Sequence, residues 1–200
     1  MKQLKFDPKQ CALLIVDVQV DFCSPDGATA RRGRSNKLMQ ALPAKINAFV
    51  REMPDVLPIY VKAIVDESRL APNQKLFNEM KGVRRPTQLG SGGEEFYGLE
   101  ISPDAIIVEK TWADPFNYTN LTERLTKREI NTVLVCGVRT EICVDATARR
   151  ASSEGFNVVV VSDLVATRDD NVADGEHALK FLDAYVGFVM DSTQVKQILS

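Results

Sequence analysis

The sequence predicts an α/β protein, a three-layer α/β/α sandwich with a six-stranded parallel sheet. Three observations lead there. Short apolar runs rich in β-branched residues alternate with longer amphipathic stretches, the pattern of successive strand-helix units. The first such run, Ala12-Leu-Leu-Ile-Val16, is apolar without interruption, as a strand covered on both faces must be. A chain of 200 residues, 44% hydrophobic and 26% charged, suits a single domain spanning 1–200 around one core.

The elements follow in order. The run 12–16 ends at Asp17 and forms the first strand. Lys37 to Met53 carries apolar residues at 38, 39, 42, 46, 49 and 50, close to a helical repeat, and Pro54 and Pro58 bracket its exit. Leu57 to Val65 is the second strand, and Pro72 to Met80 a short helix. Residues 82–103, rich in Gly, Pro and polar side chains, read as a long loop, which in a compact domain is usually functional. Ala105 to Lys110 is the third strand, followed by a loop through Pro115 and a helix from Thr119, an acceptable cap, to Arg128. Strand 133–136 leads into helix 141–154, with Gly155 as its stop. Asn157 to Val161 is the fifth strand, Asp174 to Asp183 a helix, and Val186 to Met190 the sixth strand.

Composition removes several classes of function. The net charge is −2, which leaves no basic surface of the kind nucleic acid requires. The densest cationic runs, Arg31-Arg32-Gly-Arg34 and Lys81 to Arg85, are short and read as solvated loops. No apolar stretch approaches the ~20 residues of a membrane span. The opening Met-Lys-Gln-Leu-Lys-Phe-Asp has no apolar signal region, so a cytoplasmic protein is expected. The cysteines, 11, 23, 136 and 143, show no C-x-x-C pair or zinc-like spacing. Cys11 and Cys136 lie in apolar runs and read as buried small hydrophobes. The single histidine, His177, lies in a polar helical pattern and reads as an exposed helix residue.

In parallel α/β sheets ligands bind at the carboxyl ends of the strands. That rule selects Asp17, Lys110 and Cys143, each at or just past a strand end. A thiol in the first turn of a helix feels the positive end of the helix dipole, which favours the nucleophilic thiolate. Asp17 is suited to act as base toward that thiol, and Lys110 to support both charges. Backbone N–H groups of Cys143 and the preceding turn offer an oxyanion hole. From spacing alone each residue also has an ordinary structural reading, and a redox pairing of Cys143 with Cys136 is a weaker one.

Three segments carry a more specific signal: Asp17-Val-Gln19-Val-Asp-Phe22, Glu109-Lys110-Thr-Trp112-Ala-Asp-Pro-Phe116, and Gly137-Val-Arg-Thr140-Glu-Ile-Cys143-Val-Asp-Ala-Thr147-Ala. They resemble, in order, the signature segments of the isochorismatase-like cysteine hydrolase superfamily, which includes nicotinamidases, N-carbamoylsarcosine amidohydrolases, ureide hydrolases and isochorismatases. The similarity extends to Val158–Thr167 and Val186–Val195 and so covers nearly the whole chain. It implies a Rossmann-like six-stranded sandwich and a catalytic triad of Asp17, Lys110 and Cys143. It also implies a cis peptide between Val138 and Arg139, aiming the N–H groups of Arg139 and Cys143 into an oxyanion hole.

The departures narrow the expectation. Metal-dependent nicotinamidases carry an Asp-x-His segment after the second strand; here Tyr60-Val-Lys-Ala-Ile-Val-Asp66-Glu-Ser has no histidine, and Asp66 alone cannot replace such a cluster. No metal and no cofactor are therefore expected. Isochorismatases proper lack the nucleophilic cysteine. The expected activity is metal-independent hydrolysis of a C–N bond in a small amide, carbamoyl or ureido compound through a thioester. Nicotinamidase-type or isochorismatase-type hydrolysis, or a non-catalytic binding role, are the alternatives. Gln19, Phe22, Trp112, Phe116, Tyr118 and Arg139 are the candidate substrate-binding residues, with Arg139 equally suited to pair with Glu141. The glycines of loop 86–100 suggest a lid. The expected partner is a small-molecule substrate, and the resemblance implies a homo-oligomer.

Overall fold

The computed structural model describes residues 4–199. A six-stranded sheet in the order β3-β2-β1-β4-β5-β6 forms its centre, and every strand pair is parallel. The chain enters through β1 (Cys11–Val16), then runs through short helices α1 (Val20–Cys23), α2 (Ala28–Arg31) and α3 (Lys37–Gln40) into α4 (Leu42–Glu52). β2 (Leu57–Ala63), α5 (Pro72–Lys81), β3 (Ile106–Lys110) and α6 (Leu121–Thr126) complete the first half. β4 (Thr132–Val138) passes through a helical turn, Thr140–Val144, into α7 (Asp145–Ser153). β5 (Asn157–Ala166), α8 (Val172–Tyr185), β6 (Phe188–Met190) and α9 (Ser192–Ile198) follow. No helix among the described residues is long and apolar enough to cross a membrane.

The uninterrupted apolar run of β1 is explained by its position. It is buried at all six residues, and successive strand side chains point to opposite faces. Cys11, Leu13 and Ile15 pack with Met39, Leu42, Ile46 and Phe49 of α3 and α4 and with Val195 of α9. Ala12, Leu14 and Val16 pack with Leu121, Leu125, Ala148 and Leu182 on the other face. Each fully buried aliphatic side chain contributes about 1.5–3 kcal/mol, so one strand anchors both helical layers.

The structure corrects several boundaries. The expected helix 37–53 is two helices, because Pro43 in the first turn of α4 has no N–H to offer the preceding turn. The fifth strand runs on to Ala166 rather than ending at Val161. A register shift between Val135 and Gly137 carries it past Ser162 and Asp163, whose polarity hides the strand in the sequence. Loop 86–100 is no free lid. Thr87 N donates to Asp21 Oδ2 at 2.7 Å, and Asp21 N, Val20 N and Tyr97 N tie 93–97 to the segment after β1 at 2.8–2.9 Å. A side chain at Gly93 would strike the Asp21 carboxylate, at 2.3 Å.

Gly137 is the tightest point of the sheet. It has φ +112°, and a Cβ there would lie 2.1 Å from the Val16 carbonyl oxygen. Gly137→Ala is expected to destabilise the fold by about 4 kcal/mol, from backbone strain and overpacking together. At this chain length that is a fall of roughly 10 °C in Tm, measurable by calorimetry; an unchanged Tm would contradict this account.

Candidate active site

The order of strands puts the topological switch between β1 and β4, since connections leave β1 toward β2 and leave β4 toward β5. A crevice opens at the carboxyl ends of such a pair, and the chemistry-bearing residues gather there. Asp17, the first residue after β1, takes φ +54°, a left-handed conformation that Asp tolerates better than most residues. Its N–H donates to the Val61 carbonyl at 2.9 Å, while its own carbonyl accepts from Gln19 N at 2.8 Å. That tight turn takes the chain out of the sheet and leaves the Asp17 carboxylate in the crevice.

Lys110 ends β3, two strands away. Its register partner on the intervening β2 is Ala63, small enough for the lysine stem to cross toward β1. The ammonium Nζ lies 2.8 Å from Asp17 Oδ2, with both side chains fully buried, and donates to the Ala113 carbonyl at 2.8 Å. The Cys143 thiol lies close enough to Asp17 and Lys110 for both to act on it electrostatically. Beyond the Lys110 ion pair, the Asp17 carboxylate oxygens have no hydrogen-bond partner among the described residues.

Burial sets the protonation states. It pushes the Asp17 carboxyl above its ordinary value against the pull of Lys110. Burial opposes the Lys110 ammonium too, but Asp17 and then Cys143 outweigh it, and the lysine is held charged. Burial pushes the Cys143 thiol up to about 12, with Lys110 pulling it down and Asp17 pushing it further up. Burial therefore favours the protonated thiol in the free site over the standing thiolate that a helix-start position suggests. The reason is the neighbouring carboxylate and the loss of water, neither of which is visible in a local pattern. The helical turn itself is of the wide π type, with Val144 N bonded to the Arg139 carbonyl five residues back at 3.1 Å. The Val138–Arg139 peptide is cis.

The crevice is a cleft of about 380 Å³ lined by Asp17, Cys143, Phe22, Trp112 and Arg139 among others, within the range of small-molecule sites. Three of the expected pocket residues lie elsewhere. Gln19 is fully buried, and its amide is consumed by Ala63 and by the Glu94 carbonyl at 2.7–2.9 Å. It braces loop to sheet and has no group left for a ligand. Phe116 is in the core beside α6, stacked on Phe156. Tyr118 is 94% exposed, on a loop away from the cleft lining. Arg139 lines the cleft while its Nε donates to Glu141 Oε1 at 2.9 Å.

The sequence reading missed Arg32, Arg34, Arg85 and Arg168, all in the cleft lining. The first three sit in the cationic runs read as solvated loops. Arg32 and Arg34 stay solvent-exposed on the rim of the cleft, as loop residues should, while Arg85 is partly buried. No local signal marks that the loops bring them to one cleft. His177 is exposed on α8, stacked on Phe181 and absent from the lining. Cys11, Cys23 and Cys136 are buried, with burial pushing the Cys11 and Cys23 thiols up to about 11 and about 12. Cys136 packs in the core with Leu134 and Val138, so it offers no resolving thiol.

The parallel α/β sheet thus brings a thiol, a carboxylate and an ammonium together at its switch point. The chain belongs to the isochorismatase domain family, whose model matches residues 11–194, and members of that family are hydrolases. It is 27% identical over 158 residues, 78% of this chain and 86% of the relative, to an isochorismatase family protein PncA of Bacillus subtilis (strain 168). Among solved structures it resembles a cysteine hydrolase from Pseudomonas syringae pv. phaseolicola 1448A, with TM-score 0.83, 25% identity and 99% and 97% of the two chains covered. It also resembles the pyrazinamidase of Pyrococcus horikoshii in complex with zinc, with TM-score 0.75, 26% identity and 91% and 99% covered. The present residues do not fit such a metal. Asp66 is half-buried and accepts from Ser68 N and Oγ at 2.9 and 2.6 Å. Among the described residues no three His, Cys, Asp or Glu side chains converge.

Proposed function

We propose that the protein is a cysteine hydrolase cleaving a C–N bond of a small amide, carbamoyl or ureido compound. The observation that carries this reading is the buried convergence of Cys143 with an Asp17–Lys110 pair at 2.8 Å on the wall of a substrate-sized cleft. Because burial holds the thiol protonated, attack and deprotonation must be coupled. Asp17 takes the Sγ proton as Sγ bonds to the substrate carbonyl carbon, and Lys110 keeps the carboxylate from being fully neutralised by its surroundings. The N–H groups of Arg139 and Cys143 receive the oxyanion. Protonated Asp17 then passes its proton to the departing nitrogen, the C–N bond breaks, and a thioester remains. Water adds to the thioester with Asp17 as base, and the proton returns to the Cys143 sulfur as the acid leaves.

The test is ammonia or amine release from a panel of small primary amides, nicotinamide, N-carbamoyl amino acids and ureides, followed across pH. Since burial raises the Asp17 carboxyl, the active carboxylate form appears only above the ordinary carboxylate range. kcat/KM is therefore expected to rise with pH along an acid limb centred above the usual Asp value of ~3.9. A limb at or below that value, or release by no member of the panel, overturns the reading.

A further inference from the structure

The cleft is strongly unbalanced in charge. Its lining holds five arginines, Arg32, Arg34, Arg85, Arg139 and Arg168, against one acid, Asp17, and that acid is offset by Lys110. Three of the arginines are answered by carboxylates outside the cleft. Arg34 and Arg168 share Asp170 at 3.0 and 3.2 Å, and Arg139 pairs with Glu141. Arg85 and Arg32 have no carboxylate within ion-pair distance among the described residues. They adjoin each other, since Arg32 Nη2 donates to the Arg84 carbonyl at 2.6 Å.

Arg85 is also built into place. Its guanidinium lies 3.8 Å from the centre of the Trp112 ring, and its Nε donates to Asn78 Oδ1 at 2.9 Å. The stack holds the fork flat and leaves both terminal nitrogens unbonded among the described hydrogen bonds. Trp112 follows Lys110 by two residues, so the ring beneath the guanidinium and the buried ammonium belong to one segment. Burial lowers the pKa of Arg85, and Cys143 lies close enough to raise it electrostatically. A half-buried guanidinium with an open fork forgoes the charge-assisted hydrogen bonds that normally compensate its desolvation. A planar carboxylate supplies them in bidentate form.

We infer that the cleft takes a substrate carrying a carboxylate, received by the Arg85 fork over Trp112 with Arg32 beside it, while its amide or ureido carbonyl faces Cys143. This rests on the reading of the cleft as a hydrolase site but is tested apart from turnover. Trp112 is the only tryptophan, so its fluorescence reports events at the fork. Titration of the whole protein with succinate is expected to give a saturable change, with neutral butyramide needing at least about tenfold higher concentration. Arg85→Gln should weaken succinate binding about ten- to a hundredfold, the size of a hydrogen bond to a charged group. Arg85→Lys, which keeps charge but not the fork, should fall between. A purely structural Arg85 would lower Tm without changing the succinate-to-butyramide ratio.

Equal binding of succinate and butyramide, no saturable change with succinate, or an Arg85→Gln variant that binds succinate as wild type does would each overturn the inference. Hydrolysis then separates the two readings. With succinamate as substrate, succinate binding without ammonia release supports the carboxylate site and counts against the hydrolase. Butyramide hydrolysed in preference to succinamate supports the hydrolase and overturns the carboxylate site.

Discussion

Cys143→Ala is expected to lose at least about a thousandfold in kcat with Tm within a degree or two of wild type. The size follows from what is removed, since without the sulfur there is no thioester path and only water held in the cleft remains to attack. The fold should tolerate it because Cys143 lies on the cleft wall at the margin of the core and its backbone carbonyl, not its thiol, anchors Thr147 at 2.6 Å. Ammonia release by the variant within tenfold of wild type would refute the mechanism. The wild-type thiol carries a second, sharper expectation. With its pKa pushed up to about 12, iodoacetamide should label Cys143 slowly at pH 7, and the rate should climb with pH well past 8. Fast labelling at pH 6 would show a standing thiolate and contradict the proton placement argued above.

Asp17→Ala should cost both activity and stability. Removing the base is expected to lower kcat by about a hundred- to ten-thousandfold. It also strands Lys110, whose ammonium has lost its 2.8 Å partner inside a fully buried site. Breaking a buried pair on one side costs about 3–5 kcal/mol, a fall of roughly 10 °C in Tm at this length. The double change Asp17→Asn with Lys110→Met separates the two effects. Removing both charges together relieves the stranded ammonium, so Tm should recover most of the loss while ammonia release stays absent. A double variant that remains as unstable as Asp17→Ala, or any Asp17 variant with near wild-type turnover, would show that the pair does not have the role assigned to it.

Much of this site is legible in the residue order because it is built from strand ends. Periodicity locates a strand, and the end of a parallel strand is where a functional side chain emerges. Asp17, Lys110 and Cys143 were therefore recoverable one at a time. The pocket wall was not recoverable in this way. Gln19 and Phe116 occur in the same signature segments as Asp17 and Lys110, yet the first spends its amide on Ala63 and Glu94 and the second fills the core. Which way such a side chain turns depends on partners forty or more residues away in the chain. Arg85 shows the converse, a charged residue in a cationic run that reads as a solvated loop but is partly buried against Trp112.

The sequence by itself determined the alternation of strands and helices, the two-faced burial of β1, and the positions of Asp17, Lys110 and Cys143 at strand ends. All of these are written in local spacing and side-chain type. Only the tertiary structure decided the strand order that joins Asp17 to Lys110 across β2, the cationic imbalance of the cleft, and the state of the Cys143 thiol. Those three depend on Coulomb interactions and desolvation among groups distant in the chain, and both follow the distances and burial that folding creates.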